Sequence, residues 1–249
     1  MRSCCVLAML VLAACSSKSG TKKVRIAAAS DLQKAFSELG KTFEERTKVT
    51  PEFTFGSSGL LSKQIEQGAP YFMFAAANKE FADKVVASGH CDGSTGRLYA
   101  RGKIVVWTPD GGPAPAQLSD LAKPEFKRIS IANPEHAPYG RAAKQALEKT
   151  GVWPEIESRI ILGDNISATM LYAKERNVEA AVVALSLAVV TDGGKSLPID
   201  VSLYDPLDQK LVVCGKGEEA DAARKFADYV TSPEGREVMS RYGFTMPAP

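Results

Sequence analysis

Histidine is scarce in this chain, with only two among 249 residues, and tryptophan is equally rare. So few imidazoles leave little material for a histidine-built metal centre. His90-Cys91-Asp92 is a lone cluster with no second ligand pair, so no protein-ligated metal is expected. An excess of charge is also missing: 31 Lys plus Arg stand against 29 Asp plus Glu, and the signs are interspersed. That balance provides neither a nucleic-acid footprint nor a polybasic membrane patch, and no nucleic-acid partner is expected. Low-complexity tracts and repeats of solenoid period are absent too. The apolar run from Val6 to Ala14 is too short to span a bilayer. What remains is an ordinary globular composition, 45% hydrophobic and 24% charged, in a chain long enough for one large domain or two lobes with separate cores.

The short apolar run follows Arg2, which is the arrangement of an export signal. It ends in Leu12-Ala13-Ala14-Cys15, which resembles a bacterial lipobox. By that resemblance residues 1–14 are a signal peptide, the chain is cut before Cys15, and Cys15 is lipidated; a plain signal peptide cleaved nearby is the alternative. Residues 15–22 then read as a lipid-anchored, flexible tether. Of the five cysteines, Cys4 and Cys5 leave with the signal and Cys15 carries lipid. Cys91 and Cys214 remain, and an oxidising compartment offers them one pairing.

Val24 to Phe43 sets the pattern for the rest. Val24 and Ile26 alternate around Arg25, and then Leu32, Phe36, Leu39 and Phe43 fall on one helical stripe, so a strand feeds directly into a helix. Ser30-Asp31-Leu32-Gln33 reads as a capping box with Ser30 as N-cap. A helix starting there aims its free N–H groups and positive dipole end beyond the strand, where an anion can sit. The same unit recurs. Val49 to Phe55 reads as an edge strand because of Pro51, and Gly56-Ser57-Ser58-Gly59 opens a helix closed by Gly68. Tyr71 to Ala77 is a continuous apolar run suited to a buried strand. Gly102 to Thr108 reads as a strand and Pro109 to Ala116 as a loop. Phe126 to Ala132 is a strand that turns through Asn133–Gly140 into a helix from Arg141, and Ile160 to Leu162 leads through Gly163–Ser167 into another. Ala180 to Val190 reads as a buried strand with its turn. Lys210 to Val213 is a strand that can return the chain to the first lobe, and helices follow over Glu219–Val230 and from Ser232-Pro233-Glu234.

The turns offer Ser30, Ser57, Ser58, Tyr139, Asn165 and Ser167, which supply hydroxyls and backbone N–H groups but no Arg or Lys. Several stretches together resemble the periplasmic molybdate-binding proteins of ABC transporters. They are AAASDL at 27–32, FGSSG at 55–59, KQIEQGAP at 63–70, GKIVVW at 102–107, NPEHAPYG at 133–140, GDNIS at 163–167, VALS at 183–186 and RYGF at 241–244. The resemblance spans nearly the whole mature chain. It implies an α/β, two-lobed type II periplasmic-binding-protein fold with the ligand cleft between lobes: residues 23–101 and 206–249 in lobe 1, residues 102–205 in lobe 2. It further implies molybdate or tungstate as ligand, an ABC permease as partner and a site on the periplasmic side of a bacterial membrane. No cofactor is expected, and a monomer is.

Carried over position by position, the ligand-contacting serines fall on Ser30 and Ser58, and the N–H donors of the second lobe on Tyr139 and Ile166. Two departures stand out. The third strand reads Tyr71-Phe72-Met73-Phe74-Ala75-Ala76-Ala77 where many members carry acidic and serine positions, and the region where some members place a ligand-binding tyrosine has only Leu185 and Ser186. Tyr139 is the candidate replacement: its hydroxyl reaches the anion, or its ring packs at the hinge. Neutral donors suffice for a dianion if there are enough of them, since charge-assisted bonds are about twice as strong as neutral ones. Because such donors do not titrate near neutrality, affinity should be nearly flat from about pH 6 to 8. Two other readings remain: another ligand such as sulfate, phosphate or a small carboxylate, and a serine hydrolase with Ser58 as nucleophile and His136 as base. The second lacks the glycine that a nucleophile elbow needs at position 60.

Overall fold

The structure, a computed structural model, describes residues 22–246. The signal, most of the tether and Cys15 lie outside these residues. In chain order the elements are β1 (Lys22–Ala29), α1 (Gln33–Thr47), β2 (Val49–Gly56), α2 (Ser58–Glu66), β3 (Met73–Ala76), α3 (Lys79–Ala87), β4 (Cys91–Gly102) and β5 (Ile104–Pro109). Then come β6 (Ile129–Ala132), α4 (Pro138–Lys149), α5 (Trp153–Ile156), β7 (Ile160–Gly163), α6 (Ile166–Lys174), β8 (Ala180–Ala184), α7 (Leu185–Ala188) and β9 (Gly194–Pro198). The chain closes with β10 (Leu207–Cys214), α8 (Glu218–Thr231) and α9 (Pro233–Arg241).

The strands form two five-stranded sheets, in the orders β2-β1-β3-β10-β4 and β7-β6-β8-β5-β9. Each has three parallel strands followed by an antiparallel one: β10 runs against β3 and β4, and β5 against β8 and β9. The order reverses beside β1 in one sheet and beside β6 in the other. Ligands of open α/β sheets bind at such switch points, beyond the carboxyl ends of the strands. The chain passes between sheets at Lys103 and again between β9 and β10.

The central strands are apolar throughout because helices cover both faces. Ile26 through Ala29, all of β3 and all of β8 are buried. On one face of the first sheet Phe36, Phe43, Phe53 and Phe226 form an aromatic cluster, with Phe226 edge-on to Phe36 at 5.7 Å and to Phe43 at 5.2 Å. Each such pair adds about 0.5–1.5 kcal/mol beyond the area it buries. Cys91 and Cys214 are joined, with Cα atoms 3.8 Å apart, tying the start of β4 to the end of β10.

Pro51 sits on the outer strand of its sheet, where a residue without an N–H is tolerated. Ser232 caps α9 by accepting from Gly235 N–H at 3.1 Å. Several elements differ from the sequence expectation. The apolar run 71–77 contributes only four strand residues, Met73–Ala76. The stretch from Gly102 to Thr108 is split, since β4 reaches Gly102 and β5 starts at Ile104. The helix expected from Arg141 starts at Pro138, a residue well suited to a first turn. α3, β4, α5 and β9 have no counterpart in the sequence expectation. The capping box at Ser30 does not form: Ser30 is the first residue of a 3-10 turn, Ser30–Leu32, that precedes α1, and no side chain caps that turn. A 3-10 turn shifts the register of the first N–H groups, so Gln33 begins α1 instead of reaching back as its third residue.

Candidate functional site

Four strand-to-helix turns converge between the two sheets. From the first sheet, β1 ends at Ala29 and Ser30 follows, while β2 ends at Gly56 and Ser58 opens α2. From the second, β6 leads through residues 133–137 into Pro138-Tyr139 at the start of α4, and β7 leads through Asn165 to Ile166 at the start of α6. Asn165 caps α6, its Oδ1 accepting from the N–H groups of Ser167 and Ala168 at 3.0 Å each. Ser30, Asp31, Ser58, Tyr139 and Ile166 all line one small cavity. No Lys, Arg or His lines it. Helix N-termini face it, whose first-turn N–H groups have no partner within their own helices and favour an anion.

The serine hydroxyls are oriented by what they accept. Ser58 Oγ accepts from Ala77 N–H at 2.9 Å, and Ser30 Oγ accepts from Ser167 N–H at 3.4 Å. A hydroxyl has one proton to give and two lone pairs. With a lone pair of each taken by backbone, the protons of both are free for a further acceptor. Ser30 and Ser58 are both buried, at 4% and 1% exposure, so that acceptor would be held away from water.

The Tyr139 hydroxyl points elsewhere. It donates to Asp31 Oδ2 at 2.8 Å and accepts from Gln209 Nε2 at 3.1 Å. Gln209 Nε2 also donates to Asp31 Oδ2 at 2.6 Å, and Tyr99 Oη donates to Gln209 Oε1 at 2.8 Å. Gly102, where β4 ends, makes room for this ring: a Cβ there would lie 2.0 Å from Tyr139 Oη. Of the two roles open to Tyr139, the ring therefore packs at the crossing between sheets, and the hydroxyl is committed to a carboxylate. Asp31 is fully buried, and burial pushes its carboxyl up to about 6 against the pull of the bonds from Gln209 and Tyr139. Among the described residues its Oδ1 has no hydrogen-bond partner.

Asp31, Gln209 and Tyr99 were not singled out from sequence. Gln209 carried a usable signal: it falls between Leu207 and Leu211 on the buried face of β10, a polar residue at an apolar position. Asp31 was hidden by the capping-box pattern, which assigns that position to solvent.

Further bonds hold the two sheets' turns against each other. Ser167 Oγ donates to Ser30 O at 2.9 Å, Ser186 Oγ to Asp31 O at 2.9 Å, and Gly59 N–H to His136 O at 2.9 Å. At the cleft edge Arg141 reaches Glu80 at 3.1 Å and lies 5.1 Å from the centre of the Phe81 ring. Ser186, at the position where some similar proteins have a tyrosine, thus links the sheets rather than facing the cavity. The pairing needed for a hydrolase is not made. His136 Nδ1 lies 2.8 Å from Ser57 Oγ, which itself donates to the His136 carbonyl at 2.6 Å, and Ser58 has no imidazole partner. With its proton given to a carbonyl, Ser57 accepts from Nδ1, the reverse of what a general base requires.

The chain matches the bacterial extracellular solute-binding protein family over residues 24–245. It is 33% identical over 225 residues to the molybdate-binding protein ModA of Rhodobacter capsulatus, covering 89% of this chain and 88% of that protein. It is 31% identical over 249 residues to a putative ABC transporter substrate-binding lipoprotein, YvgL, of Bacillus subtilis, covering 96% and 94% respectively. Among solved structures, the periplasmic molybdate-binding protein of Azotobacter vinelandii superposes with a TM-score of 0.83 over 90% of this chain and 100% of its own, at 24% identity.

Proposed function

Since the chain belongs to the bacterial extracellular solute-binding proteins, among the molybdate-binding members, we propose that it captures molybdate or tungstate between two lobes and delivers the ion to an ABC permease. It is a binding protein and not an enzyme. The observation that carries this reading is the pair of buried serines whose hydroxyls accept from backbone and keep their protons for a ligand. Ser30 and Ser58 donate from one side and the Tyr139 and Ile166 N–H groups from the other, around a cavity with no cationic side chain. A dianion taken out of water needs several such bonds, because an uncompensated buried charge costs many kcal/mol. Helix termini supply the opposing field without a counter-charge that would have to be desolvated in its turn.

The lobes in this reading are residues 23–101 with 206–249, and residues 102–205. Closure is a hinge motion about the two crossings near Lys103 and before β10, and the closed form is what a permease recognises. The protein acts as a monomer on the periplasmic side of a bacterial membrane, held there by lipid on Cys15, and needs no cofactor. A ligand-induced melting shift across molybdate, tungstate, sulfate and phosphate tests the reading. Molybdate and tungstate should raise Tm at micromolar concentration, and a shift with sulfate or phosphate alone would replace the assigned ligand.

A further inference from the structure

Asp31 sits beside Ser30 in the wall of the cavity, and a carboxylate is an odd neighbour for an anion. The groups facing it are Tyr139 from α4, Gln209 from β10 and, one bond further, Tyr99 from β4, while Ser186 from α7 holds its main-chain carbonyl. Tyr204, from the stretch before β10, also stands near Tyr139. None of these is a cation. Tyr99 and Tyr139 are both pushed far toward their neutral forms by burial, with the Asp31 charge adding to the effect. No partner is therefore present to balance a negative charge on Asp31 once a dianion occupies the cavity.

The hydrogen bonding of the carboxyl shows where a proton goes. Oδ2 accepts both bonds, from Tyr139 and from Gln209, and Oδ1 accepts none. Protonating Oδ1 breaks no existing bond and leaves the Oδ2 clamp intact. That clamp holds the start of α4, in one sheet's layer, against the Ser30 turn and β10 of the other. We propose that Asp31 is the positioning residue of the anion pocket and that it takes up one proton from solvent, on Oδ1, whenever a fully ionised oxyanion is enclosed. The inference rests on the reading of the cavity as a molybdate site.

Burial, against the pull of the bonds from Gln209 and Tyr139, already brings the empty-site carboxyl up to about 6, and a nearby dianion moves it further in the same direction. Between those two values the empty protein is ionised and the filled one is not. Affinity is then highest below the empty-site value and falls as pH rises, by at most about tenfold per pH unit for one proton. This replaces the flat profile that neutral donors alone would give. Only ligands that arrive without a proton of their own should show this pH dependence. An ion such as hydrogenphosphate brings one to the pocket and needs no uptake.

Calorimetry of molybdate binding at pH 7.5, in buffers of different ionisation enthalpy, reads the proton directly. Wild type should take up close to one proton per ion, and its Kd should rise by more than about tenfold between pH 6.5 and 8.5. Asp31→Asn should take up none and show a flat Kd, whereas Asp31→Ala, which loses the Oδ2 clamp, should bind more weakly at every pH. If Asp31→Asn fails to fold, Tyr139→Phe replaces it: losing one bond that favours the ionised form moves the onset of the affinity loss to higher pH. Wild-type binding without buffer dependence and with a flat Kd overturns the role of Asp31 while leaving the molybdate reading standing. A failure of molybdate to bind at any pH removes both.

Discussion

His136 and Ser57 are joined twice across the cleft: the serine hydroxyl donates to the histidine carbonyl at 2.6 Å, and Nδ1 of the same histidine reaches that hydroxyl at 2.8 Å. The next N–H but one, that of Gly59, donates to the same carbonyl at 2.9 Å. One turn of the second sheet is thereby seated on the first turn of α2, directly beside Ser58.

Gly59→Ala should weaken ligand binding by obstructing that seating. A Cβ at Gly59 would stand 2.7 Å from the His136 carbonyl oxygen and 2.9 Å from both His136 Cβ and Phe81 Cζ. The contact with His136 lies between the two sheets' turns, while Phe81 belongs to the same layer as Gly59 and its ring must turn aside as well. Small-angle scattering should show a larger radius of gyration with ligand present than wild type has, with Kd raised at least about tenfold, or roughly 1.4 kcal/mol. A variant that closes and binds like wild type would show that this contact does not report closure.

On the proposed reading, Ser30→Ala and Ser58→Ala should each remove one charge-assisted bond to the anion, worth about 1.5–3 kcal/mol, or ten- to a hundredfold in affinity. Ser58→Ala also strips the Ala77 N–H of its acceptor and should cost stability as well. Ile166→Val, whose part is played by the backbone, should bind nearly as wild type does. Titration calorimetry on the three variants checks the ranking.

Asp31 should make the ligand-free protein's stability depend on pH in the sense opposite to most carboxylates. Its folded value is raised, from 3.8 to about 6, so its favourable contribution is complete below about pH 4 and is lost as pH rises through 6. The difference between Asp31→Asn and wild type should therefore grow in favour of the variant over that window, by up to roughly 3 kcal/mol. Any constant cost of the buried amide cancels between pH values. Urea unfolding at pH 4, 5, 6 and 7 measures it.

Reduction of Cys91–Cys214 should lower stability by about 2–4 kcal/mol, since the bond closes a loop of 123 residues. Thiol titration of the denatured, oxidised mature protein should find no free sulfhydryl from this pair. Two reactive thiols would contradict the bond.

Lipidation of Cys15 should appear in the intact mass of protein taken from membranes, as a diacylglycerol adduct on a chain that begins at Cys15. An unmodified product starting elsewhere would sink the anchor.

How far the sequence reveals the molecule depends on which forces leave a period. Strand-to-helix changes at Ala29, Gly56 and Gly163 are legible because burial imposes alternation and then a helical stripe, and the turns between them carry serine, asparagine and glycine. Ser30, Ser58, Tyr139 and Ile166 were placed by motif, and all four border one cavity. α3, whose buried residues are Ala82 and Val85, offered too thin an apolar face to stand out. β4 is buried only at Cys91, Tyr99, Ala100 and Gly102 and is rich in glycine and charge, so its sequence shows no strand pattern until β10 lies beside it. The roles of Asp31 and Tyr139 depend on Gln209, which is 178 residues from Asp31, and no local pattern encodes such a meeting.

The position of β10 has a consequence for the history of each molecule. It is not an edge strand: it lies between β3 and β4, and β4 has no other neighbour in its sheet. As the chain emerges amino terminus first, residues 91–102 must wait for residues 207–214, with more than a hundred residues of the second sheet's layer made in between. Until then β4 is an unpaired ribbon, β3 presents an open flank to any passing strand, and Cys91 lacks the partner that will later pin it. The long-range pairings that must come last are the slow ones. The half-made molecule is thus at its most sticky just before it is finished, and the final strand, once inserted, seals its own entry with a covalent bond.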